Sequence, residues 1–109
     1  MVIISFETIE LQKRCCEYAT AVDAYGHLDG VALITLIADI EAAENCQEVI
    51  DIYGPEAQVS GDGTMSLDFG SGLRAIFMPV GNRFALDAEG AIEWQTVSRL
   101  KLTSIERPS

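Results

Sequence analysis

Residues 65–77, MSLDFGSGLRAIF, constrain the fold more than any other part of the chain. Met65, Leu67 and Phe69 alternate with Ser66 and Asp68, the period-two pattern of a strand buried on one side. Gly70-Ser71-Gly72 turns the chain, and residues 73–78 return it as an antiparallel partner that Pro79 stops. Arg74 stands directly behind the turn. Two roles are open to it: pairing with Asp68 across the hairpin, or contact with a ligand beyond the sheet.

The rest of the chain arranges itself around this hairpin. Residues 2–6 are β-branched and aromatic and read as a strand. Thr8 can cap a helix in which Leu11, Cys15, Tyr18, Ala19 and Val22 share one apolar face, closed by Gly26 in the left-handed region. Asp29 can cap a second helix with Ala32, Leu33, Leu36, Ile37 and Ile40 on one stripe. Asn45 and Glu48 form a relative of the capping box and predict a third, short helical turn that Gly54-Pro55 ends. Residues 55–64 are rich in turn formers. Residues 81–90 read as a long loop, with room for a brief strand over 83–86; long loops in small domains are more often functional or mobile than idle. Trp94 and Val97 lead into a last strand, where Leu100 and Leu102 alternate with Arg99, Lys101 and Thr103. This order predicts one α+β domain over residues 1–109: an N-terminal strand, two antiparallel helices, then a three- to four-stranded antiparallel sheet, with the helices on one sheet face.

Composition enters where function is concerned. Seventeen Asp and Glu against seven Lys and Arg leave a net charge of −10, a field that opposes encounter with nucleic acid. A local basic patch can still act, because screening confines fields to about 8 Å at physiological salt. The basic residues lean towards the C-terminal half: Arg74, Arg83, Arg99, Lys101 and Arg107 lie there. Their plain reading is solvated charge on a sheet face. Apolar runs are too short to span a bilayer, and MVIISFETIE lacks the basic start of a secretory signal, so a cytoplasmic protein without membrane partners is expected. Cys15, Cys16 and Cys46 have neither redox nor metal spacing; Cys15 falls on the apolar stripe, and the role of Cys16 stays open. Asp62, Asp87 and Glu89 form no calcium-loop pattern, and no glycine-rich loop leads from a strand into a helix, so no metal and no cofactor is expected.

The order and spacing of several segments resemble the RelE/HigB toxin superfamily, in particular small HigB-like proteins labelled killer or killer suppression proteins. The likeness runs over nearly the whole chain. It rests on Ser5-Phe6 ending the first strand, a helix from near Leu11 with a central cysteine, and residues 36–43 in the second helix. Residues 66–69, 72–79 and 90–97 complete it. The resemblance implies a RelE-like fold, and an endoribonuclease that cuts messenger RNA on the ribosome and is held by an antitoxin. Such cleavage needs a base for the 2'-hydroxyl, an acid for the leaving oxygen, and positive charge for the phosphorane. Arg74 matches the family's arginine behind the hairpin turn and is the candidate catalytic residue; Arg83, Arg99, Lys101 and Arg107 are candidates for RNA or partner contact. The family's basic positions on the preceding strand fall at about Ser66 and Asp68, and its C-terminal aromatic and histidine at Ile105-Glu106-Arg107-Pro108-Ser109. The sole histidine, His27, falls in the turn between the helices. A diverged toxin-type protein with weak or no nuclease activity is therefore expected. The alternative is a non-catalytic, acidic scaffold on the same fold that dimerises or binds a partner. Clustering of Arg99, Lys101 and Arg107 with Arg74 would favour the nuclease and scattering the scaffold; a last strand at an exposed edge would favour a homodimer.

Overall fold

The computed structural model describes residues 1–81 and 84–107. Strand β1 (Ile3–Phe6) leads into four helices, α1 (Ile9–Cys16), α2 (Tyr18–Tyr25), α3 (His27–Ala42) and α4 (Cys46–Tyr53). Strands β2 (Ala57–Val59), β3 (Met65–Phe69), β4 (Leu73–Pro79) and β5 (Arg99–Glu106) follow. The chain is α+β, as the element order predicts, but the helical layer has four helices where two and a short helical turn were expected.

The first predicted helix is broken at Glu17. This residue is extended (φ −115°, ψ 116°); its N–H donates to the Lys13 carbonyl, and its carboxylate accepts from Thr20 Oγ1. The break turns Tyr18 and Ala19 outward, although the helical spacing puts them on the apolar face, and leaves Cys15 and Ala21 as the buried residues of α1 and α2. Asp29 does not cap α3. Gly26 occupies that position at φ +88°, a value open to glycine, and Asp29 lies within the first turn, buried. The short helix after Asn45 forms as expected: Asn45 Oδ1 accepts from the Glu48 N–H at 3.1 Å.

Five strands make one mixed sheet in the order β1-β5-β4-β3-β2. The hairpin register pairs Asp68 with Arg74 and Leu67 with Ala75. β1 runs parallel to β5, Ile3 opposite Arg99 and Phe6 opposite Leu102. A parallel neighbour requires a crossover, and the helices supply it. Its consequence is that β5 is flanked by β1 and β4, so the last strand is not at the edge that the sequence suggested; β1 and β2 are. β2 falls inside the stretch read as turn, where three residues next to Gly54-Pro55 are too few for alternation to register. A register shift between Ile76 and Phe77 bulges the β4–β5 ladder, and Thr103 Oγ1 donates to the Ile76 carbonyl there at 3.1 Å.

One core lies between the helices and the sheet. Leu33, Leu36 and Ile40 of α3 join Met65, Leu67, Phe77, Leu100 and Leu102, all at most 1% exposed. Each such side chain contributes about 1.5–3 kcal/mol by leaving water. The alternate residues Ser66, Asp68, Arg74, Ile76, Met78, Arg99 and Lys101 point to the opposite face, and none of them is buried.

Candidate functional site

That uncovered face carries Arg74. Strand alternation places it there, and the hairpin register sets it between Asp68 on β3 and Glu106 on β5. Its Nε donates to Asp68 Oδ1 at 2.8 Å, and this bond, with the charge of Asp68 and then of Glu106, raises the guanidinium above its ordinary value. Arg74 is thus fully charged and already paired. The cross-strand role and the exposed location are both realised in one residue.

The other basic candidates are engaged or distant. Lys101 Nζ lies 2.9 Å from Glu7 Oε2. Arg107 Nη2 lies 3.4 Å from Asp29 Oδ2 at the hairpin-turn end of the sheet. Arg99 is exposed at the start of β5, beside a cleft of about 360 Å³ lined by Ile3, Val80, Phe84 and Val97, and has no ion pair among the described residues. Arg83 lies outside the described residues. Arg74 opposes Glu106 and Lys101 opposes Met78, so the two cations are four residues apart along β4, roughly 13 Å at the rise of a strand. Arg99 and Arg107 are separated by roughly 26 Å along β5 on the same measure. One phosphate cannot bridge either pair. Arg107 directly follows Glu106, the residue opposite Arg74, but is directed to Asp29, and Lys101, two residues from Arg99, is directed to Glu7.

Among the described residues no histidine stands beside Arg74, and its titratable neighbours are the carboxylates of Asp68 and Glu106. His27 begins α3 on the helical layer, where Nδ1 is 3.0 Å from the Tyr18 hydroxyl, while Arg74 is on the far side of the sheet. The cysteine side chains are held towards the thiol form. Burial pushes Cys15 and Cys46 up to about 12, and Cys16 is also raised, by burial and then by Glu41 and Glu17. Among the described residues no group of three His, Cys, Asp or Glu could hold a metal ion, and no helix is long and apolar enough to cross a membrane.

Sequence reasoning missed a polar cluster at the hairpin turn. Asp29, only 6% exposed, accepts at Oδ1 from the Ser71 N–H (2.8 Å) and at Oδ2 from Ser71 Oγ (2.7 Å) and Arg107. The Ser71 hydroxyl and amide hold its carboxyl below the usual carboxylate range, with Arg107 adding to them. Gly70 adjoins the cluster at φ +61°, and a Cβ there would come within 2.5 Å of Asp29 Oδ1. The one signal in the sequence was an Asp inside an otherwise apolar helical stretch; its partner, 42 residues away, carried none. The arrangement anchors the start of α3 to the β3–β4 turn and to the end of β5; its one base, the Asp29 carboxylate, is held below the usual carboxylate range and is therefore a weak base towards Ser71.

The fold and this face together define a single α+β domain whose helices cover one side of a mixed sheet and leave an ion-paired side open. Comparison with family models, with curated proteins and with solved structures returned no match.

Proposed function

We propose that this chain is a non-catalytic, acidic protein-interaction module on a RelE/HigB-like fold, with a basic partner. The observation that carries this reading is the state of Arg74: the cation that would hold the scissile phosphate is bonded to Asp68, with Glu106 on its other side. A phosphate arriving there meets two carboxylates within the screening length, and its own charge is opposed before it can displace them. The pairing of Arg74, Lys101 and Arg107 each with a different carboxylate supports the same reading, since a phosphorane needs free positive charge in one place. On the helical layer, residues 38–56 carry Asp39, Glu41, Glu44, Glu48, Asp51 and Glu56 and no Lys or Arg, which suits a basic partner.

A second reading, a diverged toxin with residual ribosome-dependent endoribonuclease activity, draws on Arg74 standing on the uncovered sheet face. Expression in a bacterial host without any antitoxin separates the two. The expected result is normal growth with intact messenger RNA, the same for wild type and Arg74→Ala. Growth arrest with RNA cleavage that disappears in Arg74→Ala would overturn the scaffold reading.

A further inference from the structure

The end of the sheet away from Ser71 is left apolar. The turn after β2 and the segment 84–94 enclose a groove of about 500 Å³ whose walls are Val59, Phe84, Leu86, Ile92 and Trp94, with Asp62 at its margin. Two of these are among the exposed large apolar residues of the protein, Val59 at 50% and Leu86 at 57%, and both line this one groove. Trp94 is 7% exposed and lies deep in the wall.

The groove is preformed. Leu86 bridges to Ile92, the Asp87 N–H donates to the Ala91 carbonyl at 2.8 Å, and Asp87 Oδ1 accepts from the N–H groups of Glu89 and Ala91. The Ala85 N–H donates to Thr96 Oγ1 at 2.8 Å, and the Glu93 N–H to the Ala85 carbonyl. On the opposite wall Asp62 Oδ1 accepts from the Thr64 N–H and hydroxyl. Neither wall must order itself on binding, which lowers the entropic cost of filling the groove.

Charge selects the occupant. Asp62, Asp87 and Glu89 belong to the two segments that form the groove, and no Lys or Arg lines it among the described residues. A second copy of the chain brings a further −10, which weighs against it at this acidic margin. We infer that this groove takes a basic segment of a partner protein, which seats a large apolar side chain against Val59, Leu86 and Trp94 while its flanking Lys or Arg meet the carboxylates of the turn and the 84–94 segment. The inference rests on the reading of the chain as a binder of a basic partner, and it assigns that binding a place.

Trp94 is the only tryptophan, so the emission comes from one residue in the groove wall. The probe is the hexapeptide KKLFKK, titrated into the full chain at low salt alongside EELFEE and KKGSKK, with calorimetry as the second readout. KKLFKK is expected to shift Trp94 emission and to bind at least about tenfold more tightly than either control, as a lost apolar anchor or reversed charge would dictate. The double variant Val59→Ser/Leu86→Ser, altered only at exposed positions and checked for folding by circular dichroism, is expected to lose about tenfold in affinity for KKLFKK. Leu86→Ser alone serves if the double variant is misfolded. Equal binding of KKLFKK and KKGSKK, or of wild type and variant, overturns the groove while leaving an acidic binder of basic partners. Absence of saturable binding by both basic peptides overturns the groove and the binder together.

Discussion

The two ends of the sheet solve opposite problems. At the hairpin turn, Asp29, Ser71 and Arg107 use their polar groups on one another, and glycine at position 70 lets the backbone come close enough for it. At the other end, Phe84, Leu86, Ile92 and Trp94 converge on Val59 without filling the space between, and apolar surface stays in water. A closed polar anchor contributes to stability because its groups would be costly to leave unpaired. An unfilled apolar groove contributes little to the isolated chain, and large exposed apolar surface marks a place for something else. The contrast separates residues that hold the fold from residues free to bind.

This contrast can be broken or sharpened by substitution. The largest effect is expected in the core that both ends share: Phe77→Ala should cost about 3–5 kcal/mol in denaturant melts, because Phe77 is fully buried and its removal leaves a cavity. Next comes the packing behind the polar anchor. Gly30→Ala should cost about 1–3 kcal/mol, since its Cβ would lie 2.8 Å from the Val22 backbone nitrogen on α2. Gly70→Ala combines a positive φ with the approach to Asp29 and should lower stability by more than about 1 kcal/mol. A melt unchanged by Gly70→Ala would show that the turn can shift without the anchor.

Acid titration probes the same end. The folded-state pKa of Asp29 is lowered, so the stability it contributes is complete above its ordinary value near 3.8 and is lost as pH falls through the lower folded value. Stability should therefore decline below about pH 4, and Asp29→Asn should weaken the fold at neutral pH while removing that part of the acid dependence. Identical acid profiles for the two proteins would remove Asp29 as an anchor. The smallest effect is expected at the groove: Leu86→Ser should change stability by no more than about 0.5 kcal/mol. A loss as large as that of Gly70→Ala would mean that the groove end holds the fold too.

Much of the fold was legible because alternation and helical spacing are local. The hairpin over 65–77, the capping by Thr8 and Asn45, the alternating last strand and the α+β class all follow from residues within a few positions of one another. The break at Glu17 was not legible, because Tyr18 and Ala19 continue the apolar spacing and only docking of the helices turns them outward. Of the candidate site, the pairing of Arg74 with Asp68 was open to a reader of the hairpin, since a two-stranded register places them opposite. The partners of Lys101 and Arg107, Glu7 and Asp29, were not, since they depend on where β5 lies in the sheet and on what each side chain meets there.

What the sequence alone determined is the chemistry available: a large excess of carboxylates, one histidine, seven cations and an apolar pattern sufficient for one core. Those quantities travel with the chain whatever its shape. Only the tertiary structure decided that Glu7 pairs with Lys101 and Asp29 with Arg107, that β1 closes beside β5, and that Val59 and Trp94, 35 positions apart, line one groove. Such pairings join residues distant along the chain, and their energies exist only once the fold has brought the partners within a few ångströms, so no local pattern can carry them.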